Sequence, residues 1–149
     1  MKTQKIAVCT LWANRLVMAV VALLIFALPH LLRWYAGLLG YFPPKSDLLG
    51  IWLSYIGCAG VIFLALWNME KLMKNILAGQ VFIRENVRRV RRVQLSCGLV
   101  AVICLIGTVF ALPMVLFAAI MGFLCLTVSV LANVLEAAVA LQEENDLTI

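Results

Sequence analysis

"RENVRRVRRV", residues 84–93, places five arginines within nine positions of a chain that is otherwise 65% hydrophobic. The stretch sits between two long apolar runs, residues 50–69 and 95–135. Its placement explains its charge. Soluble domains are about half apolar, and a mean hydropathy of +1.07 lies far above them. A soluble fold of 149 residues with this composition would lack the polar surface to cover itself. Lipid is therefore the expected solvent for most of the chain, and the formal charge of +5 reads as a membrane-orientation signal. No interleaved aromatic and basic surface stands out, so direct nucleic-acid binding is not expected.

Outward from the arginines, the apolar runs resolve into spans. The run 16–32 follows Lys2, Lys5 and Arg15. It is long for the core of a secretory leader, and no A-x-A-like cleavage site follows it, so it reads as a retained span over 15–36. Trp34, Tyr35, Tyr41, Phe42, Pro43 and Pro44 then mark an interface and a turn. A second span, 49–69, is long enough to cross about 30 Å of hydrocarbon. Its helical spacing continues through Met69, Leu72, Met73, Ile76 and Leu77, while Glu70, Lys71, Lys74 and Asn75 face elsewhere. Gly79 can take the left-handed conformation that ends a helix. Helix 2 should thus extend to residue 78, past the membrane surface.

As one helix, Leu95–Leu135 would measure roughly 60 Å, about twice the bilayer core. It must fold back. Leu112-Pro113-Met114 is the best break, giving spans 94–112 and 115–138 and a short acidic cytoplasmic tail, 139–149. The expected fold is an all-α integral membrane protein, with residues 1–149 forming a single transmembrane domain, a four-transmembrane-helix bundle. Lys71, Lys74 and the five arginines share one side with the basic N-terminus, against only Arg33 and Lys45 on the other. The positive-inside rule then places both termini in the cytoplasm.

Chemistry is hard to find in this chain. Cys9, Cys58, Cys97, Cys104 and Cys125 form no Cys-x-x-Cys and read as small packing residues. There is no H-E-x-x-H, phosphate-cradling glycine loop or G-x-S-x-G elbow. His30, beside Pro29, reads as a tolerated interfacial histidine. No enzyme activity, metal or cofactor is expected. Asn14, Arg15, Asn68, Gln94, Asn133 and Glu136 fall at similar depth near one end of the spans. They form either a polar pocket open to the cytoplasm or, the preferred reading, a ring that fixes helix packing. Arg15 and Glu136 are expected to pair and so bring span one beside span four. Residues 84–92 are expected to lie along the cytoplasmic leaflet and recruit anionic lipid, with Phe82 and Val87 as anchors. Glu143, Glu144, Asp146 and the terminal carboxylate of Ile149 should rest against them, with Leu147 and Ile149 over Phe82 and Ile83.

"GQVFIRENVRRVRRV" resembles the Gly-x-x-Phe-x-x-Glu-Asn signature of a bacterial four-span membrane family catalogued as domain of unknown function 2975. Gly79, Phe82, Glu85 and Asn86 carry the match. "EENDLTI", Glu144, Asn145, Asp146, Leu147, Thr148 and Ile149, is similar to the way many members end. Members often place a hydroxyl residue after the phenylalanine, where this chain has Ile83; that leaves Asn86 and Glu85 to assist the first turn of helix 3. The resemblance implies no reaction. Members are often encoded beside small helix-turn-helix regulators, which implies a membrane-side sensor or regulator. The candidate partner- or lipid-binding residues are therefore Phe82, Arg84, Glu85, Asn86, Arg88, Arg89, Arg91, Arg92, Asp146, Leu147 and Ile149. The expected function is a non-enzymatic membrane protein that docks a cytoplasmic regulatory protein. The alternatives are a small transporter or immunity protein binding an apolar compound or peptide between its helices, and a homo-oligomeric membrane component with no ligand.

Overall fold

The computed structural model describes residues 2–39 and 45–147. They form α1 (Lys2–Leu39), α2 (Lys45–Leu77), α3 (Arg84–Gly107) and α4 (Met114–Leu147). All four helices are long and apolar enough to cross a membrane. Helix is the natural outcome for such sequence, because hydrocarbon offers no partner for backbone polar groups and a helix satisfies them within one segment. Large side chains such as Phe26, Val109 and Leu112 point outward. That is the expected distribution when lipid, rather than a protein interior, is the apolar phase. Pro29 lies inside α1 without ending it. Tyr41, Phe42, Pro43 and Pro44, read above as an interface and turn, lie outside the described residues.

The helix ends follow from local chemistry. α2 runs unbroken to Leu77, and Gly79 beyond it has a φ of 80°. The Gln80 N–H donates to the Asn75 carbonyl at 2.9 Å and the Gly79 N–H to that of Ile76 at 3.0 Å. This pair of bonds satisfies the last carbonyls of a helix and needs the left-handed residue between them. The second reversal comes earlier than its sequence suggests. α3 stops at Gly107, and residues 108–113 make the turn placed above at Pro113. The Thr108 hydroxyl donates to the Leu105 carbonyl at 2.6 Å, and the N–H groups of Phe110 and Ala111 both reach the Gly107 carbonyl, at 3.0 and 3.1 Å. Pro113 then directly precedes α4, where a missing N–H costs little. Gly107 lets Met114 Sδ and Ser54 Oγ pack closely at this corner; a Cβ there would displace the methionine side chain.

The helices pack in chain order, α1 on α2, α2 on α3 and α3 on α4; among the described residues no other pair of helices comes together. The result is a row rather than a ring. The α2–α3 pairs Ser54–Gly107, Gly57–Ile103, Cys58–Cys104 and Asn75–Asn86 keep one antiparallel register. Small side chains dominate what is buried, including Ala59, Ala101, Cys104, Ala118 and Ala132. They let helices approach closely where lipid supplies no hydrophobic drive for association.

The row overturns the pairing of Arg15 with Glu136. Arg15 donates instead to Glu70 Oε1 on α2, from Nε at 3.2 Å and Nη2 at 3.0 Å. Lys74 holds the same oxygen at 3.0 Å. Glu136 takes Arg91 of α3 at 2.5 Å. Each charge meets an opposite charge on the next helix in the chain, as short connections between antiparallel helices favour. In a background without the native cysteines, Arg15→Cys with Glu70→Cys should crosslink through a short reagent, and Arg15→Cys with Glu136→Cys should not. The reverse outcome would mean that the row closes.

Candidate functional site

The polar chemistry of the chain collects at the end of the row where α2 turns into α3. α3 starts after Ile83, whose backbone is extended and which lends no side-chain cap. Glu85 lies in the first turn, where a carboxylate meets the positive end of the helix dipole. Asn86 does something other than assist that turn. Its side chain is completely buried. Nδ2 donates to the carbonyls of Gln80 at 2.7 Å and Val81 at 2.8 Å, while Oδ1 accepts from Asn75 Nδ2 at 2.9 Å. Both amide hydrogens and the amide oxygen are thus committed. One side chain ties the start of α3 to the connecting segment and to the last turns of α2. Asn86 is therefore unavailable to a partner or a lipid, contrary to its inclusion among the binding candidates.

The arginines divide by helix face. Residues 84–92 are not a loop; they are the first turns of α3, continuous with its apolar stretch. Their charge is spread over about 12 Å of helix axis. Arg84, Arg88 and Arg91 share one face. Arg84 Nε and Nη2 grip Glu143 Oε1 and Oε2 at 2.8 and 2.6 Å, and Arg91 pairs with Glu136. The two arginines are seven residues apart on α3 and the two glutamates seven apart on α4, so antiparallel packing matches them. Between the pairs lies a groove of about 280 Å³ lined by Arg84, Val87, Arg88, Arg91, Glu136, Val139 and Ala140. Arg88 is exposed there and, among the described residues, has no ion-pair or hydrogen-bond partner for its side chain. Arg89 is different: its side chain is only 13% exposed, it pairs with Glu85 four residues earlier, and its Nε is buried without a partner. It is not a free binding group. Arg92 is exposed and lies outside the groove.

The segment expected as an acidic tail is helix as far as Leu147. Glu143 does reach the arginines, through Arg84. A helical rod cannot fold its last residues back, however, and Leu147 stays 87% exposed while Phe82 is 48% exposed. The expected cover of Leu147 over Phe82 does not form. Ile149 and the side chain of Asp146 lie outside what is described.

The other polar residues do not meet in one pocket. Asn14 is buried and donates to the Leu66 carbonyl of α2 at 3.1 Å, a bond that fixes α1 against α2. Asn68 bonds within its own helix, to the Leu64 carbonyl at 2.8 Å. Gln94 is half-buried and Asn133 exposed; the Gln94 backbone carbonyl accepts from Cys125 Sγ at 3.4 Å. With α1 and α4 apart, the supposed ring is two separate halves. Cysteine placement was also invisible in the sequence: Cys58 and Cys104 lie 46 residues apart in the chain, yet their sulfurs stand 3.8 Å apart between α2 and α3.

The profile of a family described as "Protein of unknown function (DUF2975)" matches residues 41–149, which takes in α2 to α4 and both signature stretches. No curated protein and no solved structure matches the chain.

Asn86→Ala would strip partners from two backbone carbonyls and from the Asn75 amide, where each buried unsatisfied group costs about 1–3 kcal/mol. A total loss of roughly 2–4 kcal/mol is expected, read as a lowered unfolding midpoint of the detergent-solubilised protein. Asn75→Ala removes one bond and should lose about 1 kcal/mol. Equal stability of Asn86→Ala and the parent would show that the three bonds hold nothing.

Proposed function

The chain belongs to the DUF2975 family of proteins of unknown function, and from that premise we propose that it is a non-enzymatic, multi-pass protein of the bacterial cytoplasmic membrane whose basic end docks a cytoplasmic regulatory protein. The excess of Lys and Arg at the α2–α3 end favours placing that end, and with it both termini, in the cytoplasm. α2 then overshoots the membrane surface by about two turns. Trp67, with Lys71 Nζ 5.6 Å from its ring centroid, would mark the interface.

One observation carries the docking reading. The connection between α2 and α3 is held by the buried Asn86 amide, yet it displays Val81 and Phe82 to solvent at the tip of the molecule. These side chains lie beyond the helix sides that lipid would cover. An aromatic residue on a fixed segment has little conformational freedom left to lose on binding, which is what an interface anchor requires. Glu85 and Arg84 beside it are exposed, and the surrounding positive charge would steer an acidic surface toward the site. A helix-turn-helix regulator is the class of partner suggested by the usual setting of the family that the loop and tail resemble.

A photoreactive residue at position 82 in intact cells should crosslink to a cytoplasmic DNA-binding protein. Truncating an interface anchor commonly costs about 2 kcal/mol or more, so Phe82→Ala should weaken the complex by roughly thirtyfold. Leu23→Ala, on the outward side of α1, should leave it unchanged. Crosslinks to lipid alone would put the tip in the bilayer and contradict the proposal.

A further inference from the structure

We propose that the groove between α3 and α4 binds the phosphate of one anionic glycerophospholipid, with Arg88 as its principal ligand. The proposal shares with the docking reading only the placement of the basic end at a membrane surface.

Charge counting in the groove points to Arg88. Glu143 neutralises Arg84 and Glu136 neutralises Arg91. Arg88 lies between them on the same face and keeps an uncompensated positive charge. A phosphodiester carries one negative charge and offers oxygens that suit the planar fork of a guanidinium. The flanking pairs also hold Arg84 and Arg91 in place, and each retains N–H groups not used by its glutamate, because an arginine has five donors. Val87 and Val139 are buried at the floor and Ala140 completes it. An apolar floor strengthens hydrogen bonds made above it.

The same helix face identifies the ligand as a lipid. Continuing from Arg84, Arg88 and Arg91 at steps of four and three residues, α3 presents Leu95, Leu99 and Val102, all exposed. The row is guanidinium at the end of the helix and aliphatic along its span. A glycerophospholipid has the same order, phosphate first and acyl chain below. A soluble phosphate would use only the first half. A headgroup that ends in an ammonium would bring a second cation among three arginines, so the groove favours headgroups with net negative charge.

Native mass spectrometry of the full chain in detergent tests this with phosphatidylglycerol and phosphatidylcholine of matched acyl chains. One phosphatidylglycerol should bind in preference. Arg88→Gln should weaken it about tenfold, the loss of one charge-assisted hydrogen-bonded contact. Arg92→Gln removes the same charge outside the groove and should change affinity by no more than about twofold. Equal losses from Arg88→Gln and Arg92→Gln would reduce the effect to diffuse attraction and overturn the site. So would equal binding of the two lipids. Displacement of the bound lipid by millimolar inorganic phosphate would assign the groove to a soluble anion instead. The lipid titration does not involve Phe82, so its failure and failure of the docking reading are separable.

Discussion

Three hydrogen bonds from the buried amide of Asn86 set the geometry on which the rest of the row depends. Helices in lipid gain little from burying apolar surface against one another, because lipid tails are as apolar as the partner helix. Something polar must then fix which residues meet. Asn86 does so at the α2–α3 connection, and the register it sets runs on through Cys58–Cys104 to Ser54–Gly107. α4 is held against α3 by the Arg84–Glu143 and Arg91–Glu136 pairs, and α1 against α2 by Asn14 and by Arg15–Glu70.

These contacts are unequal in weight. Exposed ion pairs contribute about 0–1 kcal/mol each and weaken with salt. Hydrogen bonds between membrane helices average about 0.6 kcal/mol in double-mutant measurements. A fully buried amide whose loss strands three other groups outweighs either, since each stranded group costs about 1–3 kcal/mol. Asn86 is therefore the contact most costly to lose. The ion pairs around it orient helices and shape the groove more than they stabilise the fold.

Depth along a helix was legible in the sequence, while neighbours across helices were not. The four helices, the Gly79 terminator and the need for a reversal near Pro113 followed from apolar length and local chemistry. The turn itself begins at Gly107 because Thr108 and the N–H groups after it draw the chain back, a local competition that periodicity does not reveal. Arg15 and Glu136 share a depth in the sequence, but depth says nothing about which helix stands beside which. Hence Arg15 was matched with the wrong carboxylate. Asn86 sits in the most charged stretch of the chain, where an asparagine reads as an exposed cap. Its burial depends on the preceding turn folding back over it, and only the three-dimensional arrangement shows that. The seven-residue spacing of Arg84 and Arg91, matched by Glu136 and Glu143, is the sequence signal for α3–α4 packing, and it has meaning only because α4 stays helical beyond residue 138.

A stiff tip rather than a flexible loop is what the proposed anchoring role of Phe82 requires. Hydrogen–deuterium exchange across residues 78–86 measures that stiffness directly. The N–H groups of Ala78, Gly79, Gln80 and Asn86 are hydrogen-bonded and should exchange as slowly as those of the adjoining turns of α2 and α3. Exchange at the rate of unstructured peptide would contradict the account, because the Asn86 bonds would then be failing to hold the connection in place.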